Sequence, residues 1–230
     1  MGDIDHSTKA KFTSLTQKLV ELSKKHSNIQ MAFSLGAEDM LLLHTIESNK
    51  LPIEMFFLDT GRMHEESYSF LHDTVSSYQT KIKIYCPEAS AIENLINENG
   101  PNGFYQSVDA RKKCCKVRKV FPLQRALKNA DCWITGQRRE QSVTRASLLE
   151  EELDTAHGIM KFNPLALWTN TEIWHCLNQF KIKTHPLHQQ NMPSIGCQPC
   201  TRAITQGEDE RAGRWWWENP DVKECGLHQS

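Results

Sequence analysis

Apolar and polar positions alternate along this chain with two different periods, and the changes of period mark its elements. Leu15, Leu19, Val20 and Leu22 recur at helical spacing within Ser14 to Lys25 and predict an amphipathic helix covering a sheet. The short apolar run from Asn28 to Phe33 predicts a strand, and a turn over Ser34 to Asp39 leads into a helical pattern from Met40 to Ile46. The plan then repeats. Ile53 to Leu58 is a strongly apolar strand, Asp59-Thr60-Gly61 a turn, and His64 to about Tyr78 a helix. Lys81 to Tyr85 and Asp131 to Thr135 predict further strands. In the last third, Ile159 to Pro164 reads as a final strand, Thr171 to Phe180 as a short helix, and Thr184 to Ile195 as an irregular stretch with Pro186 and Pro193.

Strands alternating with helices imply an α/β fold, a parallel sheet with helices on both faces. Ligands of such sheets bind outside the carboxyl ends of the strands. Three polar stretches follow predicted strands: Ser34 to Asp39, Asp59 to Gly61, and Gly136 to Glu140. They are therefore expected to converge on one edge. A turn opening a helix offers free N–H groups and a positive dipole end to a phosphate or sulfate. Gly36 would let the backbone approach such an anion and Ser34 would add a hydroxyl. Glu38 and Asp39 also suit a first helical turn for the dipole alone.

At 230 residues the chain is long enough for one domain with a sizeable core, here expected over residues 1–203, with a C-terminal extension over 204–230. A formal charge of −1 excludes a generally basic, nucleic-acid-coating protein, so anion binding must come from local clusters. No run reaches the roughly eighteen apolar residues of a membrane span, and the polar start from Met1 to Lys11 lacks a signal-peptide core. A cytoplasmic location is expected. There the eight cysteines point to metal or catalytic use rather than to disulfides.

Six cations in nine residues, Arg111 to Lys119, surround the adjacent pair Cys114-Cys115. Much later Cys197 and Cys200 form a Cys-x-x-Cys. Two pairs make four sulfur ligands, and the spacing admits zinc or an iron–sulfur cluster, with a redox dithiol as a third use. His185 and His188 offer a His₂Cys₂ zinc site instead. If the chain after Cys114 is helical, Arg118 and Lys119 share the faces of Cys114 and Cys115. Cys86, Cys132 and Cys176 lie in or beside apolar segments and are expected in the core. Arg211 and Arg214, ahead of three tryptophans, suit an oxyanion clamp. Cys225 stands five residues from the chain end beside Glu224 and Gly226, where packing does not explain it. It is either an inert thiol on a frayed end or a mobile nucleophile, reactive as thiolate.

Together Ser34 to Asp39, Leu58 to Gly61, Cys114-Cys115 with Arg118-Lys119, Trp133 to Gly136 with Arg138 to Ser142, Gly196 to Ala203, Glu210 to Glu218 and Glu224 to His228 form a specific set. In order and combination it resembles the assimilatory adenylyl-sulfate and phosphoadenylyl-sulfate reductase family, over nearly the whole chain from Asn28 to His228. The resemblance implies an adenine nucleotide alpha-hydrolase-like fold and, because both cysteine pairs are present, the branch that carries a [4Fe-4S] cluster and generally prefers adenylyl sulfate. It makes Cys114, Cys115, Cys197 and Cys200 cluster ligands and Cys225 the nucleophile, with His228 in the same tail motif. It also makes Ser34, Gly36, Ala37, Glu38, Asp39, Leu58, Asp59, Thr60 and Gly61 nucleotide-site residues, with Arg118, Lys119, Arg145, Arg211 and Arg214 near the phosphosulfate. Leu35, Arg62-Met63 and His185 depart from the commoner family residues, and His185, where asparagine is frequent, argues against a His₂Cys₂ site. Nothing thioredoxin-like follows Cys225, so thioredoxin or glutaredoxin is expected as a separate reductant. A homodimer or homotetramer is compatible with the family.

Overall fold

The computed structural model describes residues 6–219, 223, 224, 226 and 227; Cys225 and His228, the expected nucleophile and its tail neighbour, lie outside them. The sheet has six strands: β1 (Ile29–Ala32), β2 (Ile53–Leu58), β3 (Ile82–Tyr85), β4 (Cys132–Ile134), β5 (Glu151–Asp154) and β6 (Ile159–Phe162). Their order is β3-β2-β1-β4-β6-β5, parallel except for β5 against β6. From β1 the chain steps outward to β2 and β3, then returns to lay β4 on the other side of β1. The strand order therefore reverses between β1 and β4, where a crevice opens at the carboxyl ends.

Alternation along the central strands divides the core. Ile29, Met31, Met55, Phe57, Cys132 and Ile134 face helices α1 (His6–Lys25), α2 (Ala37–Ser48) and α7 (Asn170–Gln179), whose Leu15, Leu19, Leu41 and Leu177 are buried with them. Phe56 and Trp133 point the other way, onto Leu123, Ala126 and Leu127 of α6 (Phe121–Leu127). Leu227 of the tail packs against this second cluster. Helices α3 (Glu65–Tyr78), α4 (Ala89–Asn99) and α5 (Val108–Cys115) complete the layers.

Strand β5 and helices α4, α5 and α6 escaped the periodicity. Strand β5 reads Glu-Glu-Leu-Asp, and its one apolar side chain, Leu153, faces out, so it gives no alternation signal; it is an antiparallel edge in a sheet expected to be parallel. Helix α4 buries only Leu95. Cys132 and Cys176 are core residues as expected, whereas Cys86 is exposed just past the end of β3, where the chain leaves the sheet. The C-terminal segment is tied to the second cysteine pair by Arg202 N–H to the Gly213 carbonyl (3.0 Å) and Trp215 N–H to the Cys200 carbonyl (3.2 Å).

Candidate active site

The loops after β1, β2 and β4 meet at the crevice, as their position after strands predicts. Ser34 donates both its backbone N–H and its hydroxyl to Asp39 Oδ2, each at 2.6 Å, closing the β1 turn on itself. The left-handed backbone in this turn falls on Leu35 (φ 69°), while Gly36 is extended at φ −68°. A Cβ on Gly36 would meet only ordinary contacts. Close approach is required instead at Gly136, where a Cβ would come 2.3 Å from Asp39 Oδ1. Burial drives the Asp39 carboxyl up to about 7, against the lowering effect of Ser34. The folded protein thus holds this proton more tightly than the unfolded chain, and the site's contribution to stability falls as pH rises from about 4 to about 7. Asp39→Asn, which cannot ionise, is expected to gain stability relative to wild type between pH 5 and pH 8, by at most about 3 kcal/mol, read from urea unfolding at the two pH values.

Beneath the loop lies a buried cation. Arg138 is fully buried and reaches three carboxylates: Glu38 at 2.7 Å, Glu140 at 2.9 Å and Glu210 at 3.0 Å. Glu38 also accepts from Gln141 Nε2 at 2.9 Å. One guanidinium so joins the β1 turn, the β4 loop and the segment that carries Arg211. Nothing in a Arg-Arg-Glu run distinguishes Arg138 from its exposed neighbour Arg139; burial alone separates them.

The crevice encloses about 210 Å³. Ser34, Gly36, Glu38, Asp39, Leu58 and Thr60 line one side, and Lys119, Arg145, Arg211 and Arg214 supply four cations to the wall. Met63, Trp133, Gln137 and Leu227, which belong to the motif stretches but carry no expected site role, line it too, as do Leu123 and Ser194. Of the remaining expected residues, Ala37 is buried and does not line the cavity, and Asp59 Oδ1 is taken by Gly61 N–H (2.8 Å) and the Tyr68 hydroxyl (2.9 Å). Arg118 donates to the Thr60 carbonyl at 2.6 Å and belongs to an adjoining cavity.

That second cavity is lined by all four candidate thiols, Cys114, Cys115, Cys197 and Cys200, together with Arg118 and Lys119. Lys119 faces both cavities. The chain after Cys115 makes a π-helical turn, Lys116–Val120, rather than continuing as α-helix; such wide turns recur at functional sites. Burial raises the Cys114 thiol, and the charge of Arg118 beside it opposes the rise. Burial raises the Cys197 thiol, but Lys119, a Thr60 hydroxyl at 3.2 Å, Arg214 and Arg118 outweigh it and bring the thiol below its usual range. Burial and the neighbouring Cys197 push Cys200 up to about 11. Among the described residues no three His, Cys, Asp or Glu side chains converge on a single-ion site. His185 is not a spare ligand. Its Nε2 meets Ser67 Oγ at 3.0 Å, its Nδ1 accepts from Leu187 N–H at 3.2 Å, and burial lowers it to about 4.

The tail is bound at this site on both sides of position 225. Arg111, fully buried, grips Glu218 with two nitrogens at 2.6 and 3.0 Å and donates a third to the Glu224 carbonyl. Arg111 (4.7 Å) and Arg214 (4.8 Å) both make cation–π contacts with the Trp215 ring. Glu224 meets Arg145 at 3.4 Å, Arg211 at 3.3 Å and the Thr144 hydroxyl at 3.0 Å. Burial would raise its carboxyl, yet Arg211 and Arg145 hold it below the usual range. Glu224 and Leu227 both line the crevice.

Residues 28–203 match the phosphoadenosine phosphosulfate reductase domain family. The chain belongs to that family. Its relatives include adenosine 5'-phosphosulfate reductases of Burkholderia cepacia, 51% identical over 95% of this chain and 88% of the relative, and of Allochromatium vinosum, 50% identical over 92% and 82%. Solved structures show the same fold. Phosphoadenylyl-sulfate reductase from Candida auris, 21% identical, aligns with a TM-score of 0.69 over 88% of this chain and 99% of that one. Candida glabrata FMN adenylyltransferase, 16% identical, aligns at 0.60 over 100% and 82%. These likenesses agree with the expected alpha-hydrolase-like sheet. No described helix of this family member is long and apolar enough to cross a membrane.

Proposed function

We propose that this chain reduces adenylyl sulfate to sulfite and AMP in sulfate assimilation, with Cys225 as the nucleophile. The observation that carries the reading is the cation-lined crevice at the sheet's reversal point with residues from both sides of Cys225 in its wall. The names of the relatives support it from a second direction.

In the mechanism, the Cys225 thiolate attacks the sulfur of adenylyl sulfate in line. The S–O bond to the phosphate breaks, its electron pair leaves with AMP, and Cys225 carries an S-sulfonate. Lys119, Arg145, Arg211 and Arg214 neutralise the charge that moves onto the departing phosphate. A thiolate of thioredoxin or glutaredoxin then attacks Cys225 Sγ, sulfite leaves, and the reductant's second thiol resolves the mixed disulfide. That step reduces sulfur at the expense of one dithiol. Thioredoxin-dependent sulfite release, measured side by side from adenylyl sulfate and phosphoadenylyl sulfate, tests the reading; no release from either overturns it, and preference for the 3'-phosphorylated substrate reassigns the specificity.

Cys114, Cys115, Cys197 and Cys200 fit the [4Fe-4S] cluster the family branch implies. Four thiols line one small cavity, with Arg118 and Lys119 beside them to balance anionic sulfur. When bound, the cluster supplies fixed charge beside the crevice and crosslinks α5 to the Cys197–Cys200 segment. Cys197→Ser is expected to lose the broad visible iron–sulfur absorption and to fall to a lower thermal midpoint. A colourless wild-type protein containing one zinc overturns the cluster.

A further inference from the structure

The crevice cations already hold an anion. Glu224 spreads its two carboxylate oxygens over two arginines, Oε1 toward Arg145 and Oε2 toward Arg211, with Thr144 donating to Oε1. Both arginines and Glu224 line the crevice. Arg145 also donates to Gln141 Oε1, and Arg211 to the Lys223 carbonyl. A phosphate or sulfate group asks for the same arrangement, two oxygens facing two guanidinium groups. Two anions cannot share it without strong repulsion in a partly desolvated wall.

We propose that Glu224 is the internal counter-anion of Arg145 and Arg211, and that an anionic group of the bound nucleotide displaces it. This rests on the reading of the crevice as the sulfonucleotide site. Before nucleotide arrives, the carboxylate keeps the two guanidinium groups apart, oriented and charge-compensated. When the nucleotide takes them over, the side chain next to Cys225 is released. The backbone has a separate anchor, the hydrogen bond from Arg111 to the Glu224 carbonyl, so the exchange moves a side chain without requiring the tail to leave. Nucleotide binding is in this way coupled to the freedom of the residue adjacent to the nucleophile.

The test is AMP binding by calorimetry to the cluster-loaded full chain, for wild type, Glu224→Gln, Arg145→Gln and the double variant. Glu224→Gln is expected to bind AMP about three- to tenfold more tightly, because no internal anion competes. Glu224→Ala, which removes volume as well, should move the same way. Arg145→Gln should weaken AMP, and in its background the gain from Glu224→Gln should largely vanish, since half of the contested clamp is gone. A gain that persists undiminished with Arg145→Gln is a general field effect of one fewer negative charge and overturns the exchange. So does unchanged or weaker AMP binding by Glu224→Gln when Arg145→Gln still weakens it; the crevice then remains the nucleotide site. If Arg145→Gln leaves AMP binding unaltered, the crevice reading itself fails and this proposal with it.

Discussion

Cys225→Ser is expected to abolish sulfite formation, with a loss on the order of 10⁴-fold or more, while AMP binding and the visible spectrum stay as in wild type. A hydroxyl is a far poorer nucleophile than a thiolate at neutral pH, and the S-sulfonate has no other described thiol in the crevice to form on: among the described residues, none of the cysteines lines it. The cations should be largely indifferent to the change, since Arg145, Arg211 and Arg214 are held by Glu224, the Lys223 carbonyl and the Ile195 carbonyl. Mass spectrometry gives the complementary readout. Wild type incubated with adenylyl sulfate and no reductant should carry an 80-dalton-class sulfonate, about one per chain, on the peptide that includes Cys225, and the serine variant none. Turnover retained by the variant would assign the chemistry to another group.

Arg138→Met is expected to destabilise the protein by about 3–5 kcal/mol, measured by urea unfolding, the range for removing one partner of a buried ion cluster. The guanidinium is fully buried and faces Glu38, Glu140 and Glu210 together. Burial already raises Glu210, and Arg138 is the first influence that opposes this. Without it the Glu210 carboxyl, beside Glu38, is pushed up further, so the loss should be larger at pH 8 than at pH 5. The same contacts bridge the β1 turn to the Arg211 segment, so AMP affinity should fall along with stability. Arg138→Lys keeps the charge but not the three-way fork and should recover only part of either. An Arg138→Met protein as stable as wild type would mean that the cluster's desolvation cost cancels its attraction.

Much of the fold was legible because β1, β2 and β4 are short apolar runs followed by polar turns, a pattern that needs no tertiary knowledge to read. Where side chains bury little, the signal was absent. Strand β5 is acidic with Leu153 outward, and α4 buries one leucine, so neither interrupts the polar background of the chain. Cys86 misled for the converse reason: an apolar neighbourhood along the chain ended at the sheet edge, where the thiol meets solvent.

At the site, residue type and order were enough for the chemistry. The paired cysteines, the arginines ahead of the tryptophans and a lone terminal thiol each carry their chemical character in the side chain, and their order along the chain marks the family before any coordinates are drawn. Distances between segments far apart in sequence could not be read that way. That Gly136 rather than Gly36 is the position with no room for a side chain, that Arg138 rather than Arg139 is buried among carboxylates, and that Glu224 lies on Arg145 and Arg211 are all consequences of packing. Each depends on which neighbours exclude water and which charges are left facing one another, and the sheet fixes both only when the β1, β4 and C-terminal segments close over the same crevice.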